Sequence, residues 1–180
     1  INMVLRNIIS EDDHFPYLYS LELPAAESDM RLRCMAADVP YWKYLKNCLM
    51  PNDKKAIEEA SEFMDDRGQF KIEKPGQGER TVQRVVERAM NAGATAIFID
   101  QLQYLENRKG QNLGAQNNTG DYFEVVNDLR NYSDEIPIFV VHQFNRSVMS
   151  STEMPEMQQG KGSSAIEEVA TLALGLWANK

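Results

Sequence analysis

The chain is poor in cysteine, in histidine and in long apolar runs, and each shortage narrows what it can be. Its two cysteines, Cys34 and Cys48, share no C-x-x-C spacing and have no nearby histidine. Neither a metal nor a redox motif is therefore indicated, and two reduced thiols in a cytoplasmic protein are expected. No stretch reaches the roughly 18 continuous apolar residues that a membrane span needs. The opening INMVLRNIIS lacks the basic segment and apolar block of a signal peptide. Positive charge is also short. Lysine and arginine number 19 against 27 acidic residues, for a net charge of −8. That excludes a broad basic surface for nucleic acid, although not a small local site.

What is present suits one ordinary globular domain. A length of 180 residues, with 43% apolar and 26% charged content, is enough for a full core and matches a single unit spanning 1–180. Ile1, Val4, Leu5, Ile8 and Ile9 follow the spacing of an amphipathic helix that is already running at the first residue. YLYSLE (Tyr17 to Glu22) reads as a short buried strand, and Pro24 suits the first turn of a helix over Ala25 to about Ala37. Pro40 and Pro51 divide the next region into a short aromatic helix and a second one, which carries Ala56, Ile57, Ala60, Phe63 and Met64 and stops near Gly68. QFKIEK reads as a further short strand.

The clearest helix runs from Thr81 to Ala92, with Val82, Val85, Val86, Ala89 and Met90 in one stripe, Thr81 as cap and Gly93 as stop. It feeds TAIFID, whose continuous apolar run marks a strand covered on both faces. A polar loop from Asn107 to Gly120 follows, then a helix expected to bury Phe123, Val126, Leu129 and Tyr122. IPIFVVH (Ile136 to His142) and TLALGLW (Thr171 to Trp177) read as two more doubly buried strands, separated by a polar loop. Strands alternating with helices predict an α/β fold, a doubly wound and mainly parallel sheet with helices on both faces.

In such sheets ligands bind beyond the carboxyl ends of the strands. Three polar sites fall there: Glu22 after YLYSL, Asp100 after AIFI, and His142-Gln143 after IFVV. Taken singly, Asp100 reads more readily as a turn residue or helix cap, Glu22 as serving a helix N-terminus, His142 as a satisfied core or edge histidine, and Gln143 as a hydrogen-bond partner of loop backbone. Together they supply an acid for Mg²⁺, an acid to accept a proton from water, and an amide to sense a phosphate. Nucleotide hydrolysis needs that set in addition to a phosphate-binding loop.

YSLELP, IFIDQLQYL, FVVHQFNRSV and KGSSAIEEVATLALGLW resemble, in order and spacing, successive motifs of hexameric replicative helicases of the DnaB type. The resemblance covers about Asn2 to Trp177, with little contributed between about residues 38 and 80. It implies a RecA-like ATPase domain using ATP and Mg²⁺. By position, Glu22 would be the catalytic glutamate, Asp100 the Walker B aspartate acting on Mg²⁺ through its water shell, and Gln143 the residue coupling the γ-phosphate to DNA-binding loops. The matching loops are Asn107 to Gly120, with Arg108 and Lys109, and Arg146 to Ser163, with Arg146 and Lys161. Implied partners are single-stranded DNA, five further copies of the chain in a homo-hexamer, and a primase or helicase loader, with no membrane and a cytoplasmic setting.

The family's G-x-x-x-x-G-K-[ST] phosphate loop occurs nowhere in the 180 residues. The expectation is that this loop lies shortly before Ile1, that the arginine finger lies beyond Lys180, and that these residues alone are inactive. Neither DNA loop carries net positive charge, because Glu106 and Asp121 flank the first and Glu153 and Glu156 lie in the second. Contacts through amides, backbone N–H groups and few cations predict a shallow salt dependence of DNA binding. Two other functions remain compatible with the residues: a RecA/RadA-like recombination or repair ATPase, and a non-catalytic RecA-like interaction module lacking a phosphate loop.

Overall fold

The computed structural model describes residues 2–9, 13–67, 70–113, 119–143 and 163–175. Along the chain come α1 (Asn2–Ile9), β1 (Pro16–Ser20), α2 (Ala25–Ala36), α3 (Tyr41–Leu45), α4 (Pro51–Arg67) and β2 (Lys71–Glu73). Then follow α5 (Val82–Asn91), β3 (Ala96–Asp100), a 3-10 turn (Leu102–Tyr104), α6 (Thr119–Tyr132), β4 (Ile138–Val141) and α7 (Ser163–Val169). The strands form one sheet in the order β2-β1-β3-β4, and every pairing is parallel.

Side chains alternate across a strand, so a strand in the middle of a two-sided sheet feeds two cores. Tyr17, Tyr19, Ile97 and Ile99 enter one core with Val82, Val85, Val86 and Ala89 of α5 and Tyr122, Val125 and Leu129 of α6. Leu18, Ala96 and Phe98 enter the other with Leu5 and Ile9 of α1, Leu32 of α2 and Met64 of α4. All of β1 and the first four residues of β3 are buried. Burying one Ile or Phe side chain stabilises by about 1.5–3 kcal/mol, and the two central strands contribute to both cores at once. Arg33 joins α2 to α4, donating to Asp29 at 2.8 Å and to both oxygens of Asp65 at 2.8 and 3.2 Å.

Helix boundaries follow local chemistry. Pro51 opens α4, and the Asp53 carboxylate reaches back to accept from the Met50 N–H at 2.9 Å, half of a capping box. Gly93, at φ +85°, ends α5 in the left-handed region that glycine tolerates. Thr81 does occupy the cap position of α5, but its side chain makes no capping hydrogen bond.

Four expectations change. Phe123 is exposed, and Val125 takes its place in the core, because Tyr122, Val125, Val126 and Leu129 set the buried stripe of α6. The fourth strand is not buried on both faces: Phe139 is 45% exposed and Val140 is also exposed. Among the described residues it lies at the sheet edge, where Phe139 stacks on its register partner Phe98, at 4.7 Å between ring centroids. Residues 171–175 of the supposed final strand are irregular and exposed, since none pairs with the sheet, while 176 and 177 lie outside the described residues. The first loop is shorter than expected, with α6 already begun at Thr119.

Candidate functional site

The strand order locates a crevice. From β1 the chain crosses one face through α2 and α4 to reach β2, then crosses the other face through α5 to reach β3. Because β3 returns to the opposite side of β1, the direction of winding reverses between these two strands. Ligands of open α/β sheets sit at such a switch point, beyond the carboxyl ends. Ser20 pairs with Asp100 and Asp100 with Val141, which brings Glu22, Asp100 and Gln143 to the same rim on adjacent strands.

Glu22 sits in a braced bend. The Leu21 and Glu22 N–H groups both donate to the Asp100 carbonyl, at 2.6 and 3.2 Å. The Ser20 hydroxyl donates to the Leu23 carbonyl at 3.0 Å, so the 2.6 Å contact between Ser20 and Ser28 has Ser28 as donor. Lys74 closes the far side by donating to the Glu22 carbonyl at 2.8 Å. These bonds fix the backbone and leave the Glu22 side chain exposed at the crevice. The neighbouring α2, with Pro24 at its N-cap, has no side-chain capping hydrogen bond.

Asp100 is half-buried at the end of β3. Burial pushes its carboxyl pKa above the ordinary value, the Glu22 charge pushes it further, and Arg31 opposes both. A carboxylate so placed is short of compensating positive charge. The Asp100–Gln101 peptide is cis. Gln101, only 5% exposed, donates through Nε2 to Glu22 Oε2 at 2.6 Å. Gln103 in turn donates through its own Nε2 to Gln101 Oε1. Both glutamines fall inside the IFIDQLQYL motif, where residue type alone assigns them no role. Their spacing, with one residue between them, was the signal that could have paired them.

Gln143 lies two residues beyond β4 and is exposed on the rim. His142 is partly buried, edge-on to the Tyr122 ring at 6.2 Å between centroids, in keeping with a packing role.

The first loop is built by Asn107. Its Oδ1 accepts from the Lys109 and Gln111 N–H groups at 3.0 and 2.9 Å, an Asx-type turn that presents Arg108 and Lys109 at its tip. Arg108 is already engaged: it donates to Asp128 at 2.5 and 3.1 Å, and its N–H donates to Glu124 at 2.8 Å. The exposed Lys109 ammonium makes no ion pair among the described residues. Glu106, counted above as a flanking surface charge, is 1% exposed and accepts from the Gly78 and Arg80 N–H groups at 2.8 and 3.2 Å. It is a brace rather than a surface charge. Arg146 and Lys161 lie outside the described residues.

No group of three His, Cys, Asp or Glu among the described residues could hold a metal alone. Two neighbouring carboxylates, one half-buried and undercompensated, do fit Mg²⁺ that arrives with a nucleotide. That ion keeps several waters and binds through one or two carboxylates plus phosphate oxygens.

An all-parallel sheet with helices on both faces and acids at its switch point is a doubly wound α/β domain, and its likeness to a solved structure makes it RecA-like. Among solved structures, one described as "ATPase Domain of G40P" shares this fold, with a TM-score of 0.76 and 21% identity over 94% of this chain. This chain spans 62% of that one. The model of the DnaB-like helicase C terminal domain matches residues 1–177, and the chain belongs to that family of helicase ATPase domains. No curated protein sequence matches it.

Proposed function

We propose that this domain is the motor of an ATP-dependent replicative DNA helicase, hydrolysing ATP to move along single-stranded DNA and unwind duplex. The observation that carries the reading is the meeting of Glu22 and Asp100 at the switch point, with Glu22 oriented by a buried amide. Asp100 would hold Mg²⁺ through water. When bound, that ion supplies neutralisation of charge on the phosphate oxygens. Glu22, with Oε2 occupied by Gln101, presents its other oxygen to the attacking water and accepts the proton as general base. Gln143 would sense the γ-phosphate from the neighbouring strand end and pass its state into the second loop. Lys109, and Arg108 once released from Asp128, would grip phosphates of the strand.

The reading requires a phosphate-binding loop that the 180 residues do not contain, and it extends to a homo-hexamer with a primase or loader as further partner. Family membership favours unwinding over the strand pairing of a recombinase. A non-catalytic module would be recognised by failure of the natural full-length protein to bind ATP. The direct test is Glu22→Gln in the full-length protein. Hydrolysis should fall by about two to four orders of magnitude, as for loss of a general base, while nucleotide binding persists. Turnover near the wild-type rate would refute the assignment.

A further inference from the structure

Resting on that reading, we infer that Gln101 and Gln103 form an amide relay that positions Glu22, and that neither touches the nucleotide. The chemistry of the three groups fixes the relay's direction. An ionised carboxylate only accepts hydrogen bonds, so Gln101 must turn its NH₂ towards Glu22. Its carbonyl oxygen then points away and is filled by the NH₂ of Gln103. This leaves Gln103 Oε1, which is buried and has no partner.

The relay therefore has two settings. In the observed one, Gln103 donates, Gln101 donates, and Glu22 is held by one oxygen. If the Gln103 amide turns over, its oxygen faces Gln101. Gln101 must then turn its NH₂ towards Gln103 and its own oxygen towards Glu22. Two acceptors now face each other, and Glu22 is driven off the position it holds in the bend. The observed setting leaves the buried Gln103 Oε1 unmade, and the turned-over one adds two facing acceptors at Glu22, so the observed setting is the one that holds Glu22 in place. Gln103 also lies in the 3-10 turn Leu102–Tyr104, which leads directly into the segment carrying Arg108 and Lys109. A movement of that segment reaches the Gln103 amide before it reaches Glu22.

The test uses the natural full-length protein with Gln101→Met, Gln103→Met, the double substitution, and Glu22→Gln as reference. Methionine keeps the length and flexibility of glutamine without its donors or acceptor. Gln101→Met should lower kcat about tenfold or more, the order expected when a general base is retained but misplaced, with KM for ATP changed less than about threefold. Gln103→Met should lower kcat less, and should add nothing in the Gln101→Met background. A second readout needs no turnover: the urea midpoints of the nucleotide-free single and double variants should be non-additive.

The relay is overturned if Glu22→Gln abolishes hydrolysis while Gln101→Met keeps wild-type kcat. Independent, additive effects of the two glutamines on kcat and on the midpoints would also overturn it. Should Gln101→Met fail to fold, Gln103→Met decides alone, and an unchanged kcat there overturns the relay. Rapid turnover by Glu22→Gln would instead remove the underlying assignment of the base.

Discussion

Glu106 offers the sharpest test of how the described fold is held together. Its carboxylate is almost wholly buried and accepts two backbone N–H groups, from Gly78 and Arg80. Its own N–H donates to the Arg80 carbonyl at 3.0 Å, so the strip 78–81 is fastened to the base of the loop by three bonds. Glu106→Ala removes both side-chain bonds, made to the exposed Gly78 and the half-buried Arg80. A hydrogen bond to a charged group contributes about 1.5–3 kcal/mol, and two of them, discounted because water reaches Gly78, give roughly 2–4 kcal/mol with the lost packing of the buried side chain included. Glu106→Gln keeps the shape but turns an NH₂ towards one of the N–H groups, so about 1.5–2.5 kcal/mol is expected.

Urea unfolding followed by circular dichroism measures both. With a slope of about 2 kcal/mol per molar, the alanine variant should shift the midpoint by about 1–2 M. Hydrogen exchange adds a local readout, because the Gly78 and Arg80 amides should lose protection before the strand amides do. A loss below about 1 kcal/mol for Glu106→Ala, with those amides still protected, would show that the brace does not carry the segment.

Three further predictions concern the rim and the loop. Asp100 has a raised folded-state pKa, from burial first and Glu22 second. Its stabilising contribution is therefore full below the unfolded carboxylate value and is lost as pH rises through the higher folded value. Without nucleotide or divalent ion, Asp100→Asn should melt above wild type at neutral pH, and its advantage should shrink as pH falls through the carboxylate range. A pH-independent difference in Tm would contradict this. For DNA, Lys109→Ala should weaken oligonucleotide binding and flatten its salt dependence by roughly one phosphate contact per subunit. Arg108→Ala should do less than Lys109→Ala, and Asp128→Asn should tighten binding by freeing Arg108. Fluorescence titrations at several salt concentrations decide the order. Finally, Tyr122 has a buried hydroxyl with no hydrogen-bond partner. Tyr122→Phe should leave the urea midpoint unchanged or raise stability by up to about 1 kcal/mol, and a marked loss would mean that the hydroxyl has a partner.

Much of this was legible in the residues. AIFID is apolar at every position up to its acid, and a strand without alternation is expected to be covered on both faces, which β3 is. The same logic failed for IFVV and TLALG, because apolarity does not say whether a neighbour exists to cover it. Among the described residues IFVV forms the edge of the sheet, and residues 171–175 do not pair with it. Polar residues after strand ends were sound candidates, since parallel strands deliver their carboxyl ends to one rim.

The sequence by itself determined the α/β class, the two central strands, and the acids that leave them, because local periodicity and composition suffice for these. The tertiary structure decided the strand order, and with it the switch point between β1 and β3. It also decided that Glu106 is a buried brace, that Arg108 is already paired, and that Gln101 and Gln103 reach Glu22. Those contacts join residues from distant parts of the chain or depend on how a bend turns its side chains. Neither the spacing of residues nor their type encodes that geometry until the sheet has brought the segments together.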